Sequence, residues 1–155
     1  MPDTVTNQDD ASSHDYLSMH IAGHSFGIPV LQILDVLRAE RITRIPLAPK
    51  EIAGSLNLRG RIVTAIDVRK RLGLPERDCN QSVMNVVVEH HNELFSLMID
   101  TVGDVLNIPD KSIEKPPKTL DSLWLEVSVG IIQQDEGLLI IIDIARLLDC
   151  IGAEI

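Results

Sequence analysis

Short apolar runs dominate the pattern of hydrophobic and polar positions, and most are rich in Val and Ile and bounded by Gly, Pro, Asn or Asp. Runs of this kind are typical of β-strands, and few stretches show the longer periodicity of helices. The pattern therefore predicts a mainly β protein with short helices. The predicted strands are 16–22, 26–28, 30–37, 61–66, 83–88, 94–99, 102–108, 129–133 and 138–142.

Turn signals separate these runs. His-His-Asn-Glu at 90–93 and Gln-Asp-Glu-Gly at 134–137 predict hairpins, because each lies between two apolar runs. Pro29 favours an edge or bulge position, since proline has no N–H to donate to the ladder. Pro49 and the residues after it predict one helical turn that ends at Gly54. Residues 111–122 contain two prolines and predict a loop.

The chain contains an internal echo. In RIVTAIDVRKRL a predicted strand meets Asp67 and a short helix, and in LLIIIDIARLL a predicted strand meets Asp143 and a short helix. Each aspartate is placed to cap its helix, because its carboxylate can accept the free N–H groups of the first turn. The echo predicts two related halves. Its simplest structural meaning is a pair of small β-barrels, each of which closes off exposed strand edges.

Composition limits the classes of function. A chain of 155 residues with 45% hydrophobic residues is long enough for one domain, or for two small subdomains that share a core. The formal net charge of −9 disfavours partners with phosphate backbones and anionic membrane surfaces, so no nucleic acid partner is expected. Cys79 and Cys150 follow no metal-ligand or disulfide spacing, so free thiols in a reducing cytoplasm are expected.

The two ends are predicted to be tails, at residues 1–15 and 150–155, around a domain at 16–149. The first fifteen residues are polar and acidic, which predicts disorder and neither a signal peptide nor an anchor. The longest apolar runs are far too short to cross a bilayer. We therefore expect a cytoplasmic protein without direct membrane insertion.

Candidate chemistry is sparse. The phosphate-binding, dinucleotide-binding, hydrolase and zinc-protease motifs are absent from the sequence, so we expect neither an enzyme nor a cofactor. His90 and His91 could bind a metal ion, but neighbouring strand residues point to opposite sides and no third ligand is spaced to join them. Asp67 and Asp143 have no base or nucleophile beside them, which disfavours a catalytic pair.

One stretch resembles a known family. Residues 54–74, GSLNLRGRIVTAIDVRKRLGL, are similar to the core motif of the CheW-like domain. In that motif NLRG is followed by a strand and then by Asp, Leu or Val, and Arg. The similarity continues upstream in FGIPVLQILDVLRAERITRIPLAP and downstream in FSLMIDTVGDVLNIP and LLIIIDIARLLD. It covers residues 16 to about 149. The resemblance implies a mainly β fold of two intertwined SH3/OB-like five-stranded β-barrel subdomains.

The resemblance also implies a function and a site. It implies a stand-alone adaptor without catalysis that links chemoreceptor cytoplasmic tips to the regulatory domain of the histidine kinase CheA, in arrays at the inner membrane. The NLRG arginine, Arg59, would pair with Asp35 on an earlier strand, where the family usually has a longer Glu. The implied receptor-binding groove consists of Val30, Ile33, Asp35, Gly54, Asn57, Arg59 and Gly60.

Several roles stay open at this point. Arg59 either shapes the receptor groove or locks two strands together, or does both. Gly54 and Gly60 are expected to permit positive φ or a tight turn, and Asn57 to bond its local backbone. Val30 and Ile33 are core candidates that could also receive the apolar face of a receptor helix. Val36 is expected in the core as well.

Two further features and the function itself have alternatives. Arg69, Lys70 and Arg71 are expected to form a solvated helix face, and a specific contact with an acidic group is the alternative. Trp124 either covers a barrel end or anchors an interface. For the whole chain, an adaptor of a pilus or developmental kinase pathway is the nearest alternative, and a small-molecule-binding β-barrel is a more distant one.

Overall fold

The computed structural model describes residues 12–38, 41–78, 83–135 and 137–152. Of the tails expected at 1–15 and 150–155, residues 1–11 and 153–155 lie outside the described ranges. The first strand begins at Ser13, and the last helix ends at Gly152. The strands are β1 Ser13–Ile21, β2 His24–Pro29, β3 Ile33–Arg38, β4 Ile52–Leu58, β5 Arg61–Asp67, β6 Met84–His90, β7 Glu93–Ile99, β8 Thr101–Pro109, β9 Ser128–Gln134 and β10 Gly137–Ile142. The helices are α1 Val68–Arg71, α2 Ser122–Val127 and α3 Ile144–Gly152.

The mainly β prediction is confirmed, with three local differences. The run at 30–37 is broken by a 3₁₀ turn at Val30–Gln32 before β3 begins. The helical turn expected up to Gly54 is wrong, because β4 already begins at Ile52 and pairs with β5. Helix α2 was not predicted. Asp121 caps it by accepting a hydrogen bond from the Leu123 N–H at 2.9 Å.

Two five-stranded sheets exchange strands between the halves of the chain. The first sheet has the order β8-β1-β2-β10-β9, and the second has the order β3-β6-β7-β5-β4. The N-terminal half therefore gives its hairpin, β1–β2, to the first sheet and its other strands to the second. The C-terminal half does the reverse with β6–β7. Two parallel pairings, β2 with β10 and β7 with β5, join the halves.

Neither sheet closes into a barrel, because the strands at its two ends are not hydrogen-bonded to each other among the described residues. The subdomains are SH3-like, and the expectation of closed barrels is wrong in this respect. One of the two outer strands of each sheet is covered by a segment outside the named strands. Thr43 pairs with Ser55 of β4, and Glu114 pairs with Ile131 of β9. A backbone bridge of this kind blunts a strand edge that would otherwise invite pairing with another chain.

The two sheets pack on a shared core. Phe26 of the first sheet and Leu97 of the second are fully buried in it. Leu72, which directly follows α1, and Leu148 of α3 close this core, each 1% exposed. Each sheet also has a small core of its own on its other face. The side chains of these smaller cores are Tyr16, Ile108, Ile132, Leu139 and Ile141 in the first sheet, and Leu56, Val63, Ala65, Val87 and Leu94 in the second.

Burial on both faces explains the continuous apolar run of β10. Ile140 and Ile142 lie in the shared core, whereas Leu139 and Ile141 lie in the small core of the first sheet. A strand buried on both faces loses the alternation of apolar and polar residues that marks a half-exposed strand. The helix caps expected at the two ends of the echo are present. Asp67 accepts from the Lys70 N–H at 3.3 Å, and Asp143 accepts from the Ala145 N–H at 2.9 Å.

Candidate functional site

The NLRG sequence forms a tight turn between β4 and β5. Leu58 pairs with Arg61, so the turn has only two residues, and both have positive φ, 51° at Arg59 and 86° at Gly60. Two positive φ values define the turn type that suits the twist of a hairpin, and glycine adopts them without cost. The Asn57 side chain accepts a hydrogen bond from the Gly60 N–H at 2.9 Å. Asn57 therefore does bond its local backbone.

The turn presents Arg59 to solvent beside β3. The Arg59 Nη2 lies 3.4 Å from the Asp35 Oδ2, at the outer limit of a hydrogen bond. The side chains are 82% and 28% exposed, respectively. A pair so exposed contributes at most about 1 kcal/mol to folding. Asp35 also accepts from the Val36 N–H at 2.9 Å. The contact shows that the second sheet curls, because β3 and β4 stand at opposite ends of its strand order.

Apolar side chains that the core leaves wholly or partly uncovered lie near this polar pair in the sequence. Val30 and Ile33 are half-buried and pack against the shared core. Leu31 and Ile62 are 92% and 75% exposed. Sequence reasoning missed both residues. The alternation on β3 would have revealed only part of this surface, because the side of a strand that remains uncovered depends on its place in the sheet.

The expectation that Val36 lies in the core is wrong, since 36% of the residue is exposed. Val36 pairs with Val86, which is fully buried in the shared core. Directly opposite residues place their side chains on the same face. However, β3 is an edge strand of the second sheet, so Val36 has a neighbouring strand on one side only. The surface defined by Val30, Leu31, Ile33, Leu34, Val36 and Ile62 is called here the apolar rim.

Two hollows flank the site. One, of about 450 Å³, is lined by residues of β4 and β5, among them Asn57 and Ile62, together with Arg41 and Thr43. The other, of about 350 Å³, lies where the start of β1 meets Val30 and Leu31. Asn57 of the expected groove thus lines one hollow, and Val30 lines the other.

Gly54 lies apart from this surface. It is buried inside β4 with φ 153°, and a Cβ there would collide with the Thr43 backbone oxygen and lie 2.7 Å from the Ile42 Cγ2. Gly130 stands at the matching place in β9, where a Cβ would meet the Ile113 side chain and lie 3.0 Å from the Glu114 oxygen. Gly54 therefore permits the close approach of the segment that covers the sheet edge.

The expectation of a solvated basic face on α1 is wrong for two of its three residues. Arg69 and Arg71 are each 5% exposed, and only Lys70 is half-exposed. Arg71 crosses to α3 and donates to the carbonyl oxygens of Leu147 at 3.0 Å and Arg146 at 3.3 Å. Donors on a planar guanidinium can satisfy several carbonyls at once, which makes such burial tolerable.

Arg69 belongs to a buried ionic cluster at the junction between β7 and β8. Its Nη2 lies 2.5 Å from the Asp100 Oδ2, and Arg77 reaches the Asp100 Oδ1 at 3.0 Å. The Ala22 N–H also donates to Asp100, at 2.9 Å. Burial by itself would raise the pKa of Asp100, but the hydrogen bonds from Arg69, Ala22 and Arg77 outweigh it, so this pKa is lowered.

Trp124 covers one end of the shared core. Its indole N–H donates to the Leu72 oxygen at 2.9 Å, and its ring meets Phe26 edge-on at a centroid distance of 5.4 Å. Both the polar and the apolar parts of the indole thus have partners within the chain. These contacts favour the covering role over an interface anchor.

His90 and His91 do not point to opposite sides. Their ring centroids are 3.9 Å apart, and Asp149 lies beside them with its Oδ1 2.9 Å from the His90 Nε2. The expectation that no third ligand joins the two histidines is therefore wrong. Sequence spacing could not reveal Asp149, because it comes from α3 at the other end of the chain.

The fold and the site define a class, a β-sheet binding module that presents a tight turn, an exposed arginine and an apolar rim. The model of the CheW-like domain family matches residues 15–151, so the chain belongs to this family of non-enzymatic chemotaxis scaffold and adaptor proteins. Among the described ranges, no helix is long and apolar enough to cross a membrane.

Individual relatives agree with this assignment. The chain is 27% identical to the chemotaxis protein CheW of Helicobacter pylori over 91% of its own length and 85% of that protein. It is 30% identical to the chemotaxis protein CheW of Bacillus subtilis, with 83% of each chain covered. It is also similar to the crystal structure of the scaffolding protein TtCheW from Thermoanaerobacter tengcongensis, with a TM-score of 0.79, 30% identity, and 88% and 93% of the chains covered.

Proposed function

We propose that this chain is a cytoplasmic coupling adaptor that holds the cytoplasmic tips of chemoreceptors and the regulatory domain of the histidine kinase CheA in one array at the inner membrane. Family membership supports a scaffold role. The observation that carries the finer proposal is the Asp35–Arg59 contact, which sets the NLRG turn beside the apolar rim. A turn with a fixed shape next to exposed apolar side chains suits the recognition of a helical partner.

The proposed receptor site combines three kinds of contact. Val30 and Ile33 would receive the apolar face of a receptor helix, because both are only half-buried at the margin of the shared core. Arg59 would reach acceptors on the helix, since its guanidinium is mostly exposed and only weakly held by Asp35. Asn57 and Gly60 would act by fixing the turn backbone. Gly54 would act indirectly, by keeping β4 covered along its edge.

The proposed mechanism is positioning. The adaptor would bind two partners at separate surfaces, and a change in receptor geometry would reach the kinase as a change in their relative placement. Among the described residues, Asp67 and Asp143 are helix caps and the buried arginines are bound to backbone and carboxylate oxygens. These groups are therefore occupied structurally, which supports a role without chemistry on this chain.

The test is a paired binding measurement with a receptor cytoplasmic fragment and the CheA regulatory domain. Ile33→Asp should weaken receptor binding strongly and leave CheA binding largely intact, because a carboxylate placed at an apolar contact loses its hydration there. Arg59→Ala should weaken receptor binding with little change in thermal melting. Arg61→Ala is the matched control, since Arg61 is an exposed arginine at the base of the same turn.

The outcomes separate the alternatives. Equal loss of both partners in Ile33→Asp, together with a lower melting temperature, would indicate a damaged core and remove this residue from the proposed site. Unchanged binding in Arg59→Ala would remove Arg59. Binding only to a kinase and receptor of a pilus or developmental pathway would favour that alternative. Binding to neither protein class, with saturable binding of a metabolite, would contradict the adaptor role.

A further inference from the structure

Three side chains with metal-ligating atoms meet at the tip of the β6–β7 hairpin. His90 and His91 come from the hairpin, and Asp149 comes from α3. One ligand atom from each side chain lies within 4.8 Å of the other two. Residues 59 positions apart in the chain are thus brought together at a place remote in sequence from the turn and the apolar rim.

The hairpin turn creates the histidine pair. His90 is paired with Glu93, so the turn consists of His91 and Asn92, whose φ angles are 52° and 64°. Successive side chains in an extended strand point to opposite faces. The left-handed backbone at His91 removes this alternation, and the two imidazole rings therefore come to lie 3.9 Å apart between centroids.

The partner carboxylate is held in place from the core. Arg71 donates to the carbonyl oxygens of Arg146 and Leu147, and these bonds fix the turn of α3 just before Asp149. The His90 side chain is 16% exposed, and its ring lies near that of Phe95. His91 and Asp149 are exposed. The cluster therefore has one anchored ligand and two ligands that can adjust.

The geometry points to a binding site for a divalent transition-metal ion at His90, His91 and Asp149, with Zn²⁺ as the ion that fits the donors best. Two imidazoles and one carboxylate, with a water in the fourth position, form a known type of open zinc site. Ca²⁺ and Mg²⁺ prefer all-oxygen surroundings, so the two imidazoles select against them. Rotation of the exposed His91 and Asp149 side chains closes the ligand spacing around the ion.

The consequence is a metal clamp between the two ends of the C-terminal half. The ion replaces the direct His90–Asp149 hydrogen bond and ties the β6–β7 tip to α3. A ligand that binds only the folded chain stabilises it by mass action. Zn²⁺ should therefore raise the melting temperature of the protein and protect the end of α3 from hydrogen exchange.

The test is calorimetric titration of the full chain, freed of any histidine tag and stripped with a chelator, with ZnCl₂. We expect one ion per chain. His91→Asn and Asp149→Asn should each weaken the affinity by at least about tenfold, because even outer partners of metal ligands contribute that much. His14→Asn is the matched control. His14 contacts Asp110 at 2.8 Å in the same kind of histidine–aspartate pair. Among the described residues, this pair is not part of a group of three metal-ligating side chains.

Two results would overturn the site. The first is a Zn²⁺ affinity and melting shift that are the same in the wild type, His91→Asn and Asp149→Asn, which would include no binding at all. The second is a thiolate charge-transfer band on titration with Co²⁺, which would assign the ion to a cysteine. Both substituted side chains are exposed, and circular dichroism spectra that match the wild type will show that the variants fold.

Discussion

The two strand–aspartate–helix units of the chain share a plan and differ in what stabilises them. In the first unit Asp67 caps α1, and in the second Asp143 caps α3. The helix that follows has the sequence VRKRL in one unit and IARLL in the other. Arg69 and Arg71 thus stand where the second unit has Ala145 and Leu147. One helix is fastened by polar contacts, and the other is fastened by apolar packing.

The comparison shows that the two units share the burial of equivalent positions but not the type of residue that is buried there. Arg71 and Leu147 occupy equivalent positions and are both buried, at 5% and 1% exposure. The arginine is buried because carbonyl oxygens of α3 accept its N–H groups. The position of Arg71 is therefore buried, like that of Leu147, although an arginine in a sequence usually indicates an exposed position.

The largest effect should come from the part that the two units share. Leu72→Ala and Leu148→Ala should each lower the free energy of unfolding by about 3 to 4 kcal/mol, because both remove a fully buried side chain from the same core. Chemical denaturation will measure both values. If one loss is below half the other, the two helices do not contribute equally to the shared core. Leu138→Ala, on the half-exposed end of β10, is the control.

The next effect should be specific to the first unit. Asp100→Asn should cost about 2 to 3 kcal/mol, because it removes the carboxylate that pairs directly with the buried guanidinium of Arg69. The value lies below that of a wholly buried pair because a fifth of the Asp100 side chain is exposed. Asp104→Asn, at an exposed position on β8, should change stability by less than about 0.5 kcal/mol. Equal values for the two variants would show that the ionic cluster contributes nothing.

Acid should weaken the same cluster. The pKa of Asp100 is lowered in the folded state, so its stabilisation is fully present above the unfolded value of about 3.9. It is lost as the pH falls through the lower folded value. The difference in unfolding free energy between wild type and Asp100→Asn should therefore shrink below about pH 4. A difference that grows on acidification would contradict a lowered pKa of Asp100 in the folded state.

Effects no larger than that of Asp100→Asn should separate the two covered sheet edges. Gly54→Ala should cost more than Gly130→Ala, because both variants crowd the covering segment but only Gly54 has a positive φ. We expect about 2 to 3 and about 1 to 2 kcal/mol. Gly137→Ala measures the strain alone, since its φ is 136° and a Cβ there would meet open space. A loss in Gly54→Ala no larger than that in Gly137→Ala would show that crowding at the edge is unimportant.

Local sequence patterns predicted much of the fold. Alternation and turn residues located most strands, and the echo around Asp67 and Asp143 revealed the two halves. The pattern could not reveal which hairpin enters which sheet, because both pairings satisfy the same local preferences. The helical turn expected before Gly54 was wrong for a related reason. Pairing of β4 with β5 overrides a local preference that rests on a single proline.

The candidate site also has features that the local sequence predicts and features that depend on the tertiary fold. Positive φ at Gly60 and the local bond of Asn57 follow from short-range chemistry, so NLRG was informative about the turn. The exposed side of β3 depends on its edge position, which is why Val36 was misplaced. Asp149 and Asp100 meet their partners only through the tertiary fold. No periodicity in the sequence could connect such distant residues.

The exchange of hairpins makes the domain the single-chain counterpart of a domain-swapped dimer. A gene split in the linker between α1 and β6 would yield two fragments, and each would carry only part of both sheets. Neither fragment could complete a sheet by itself, so we expect folding only when the two are expressed together. Neither subdomain could therefore be deleted or transferred to another protein without taking strands from the other.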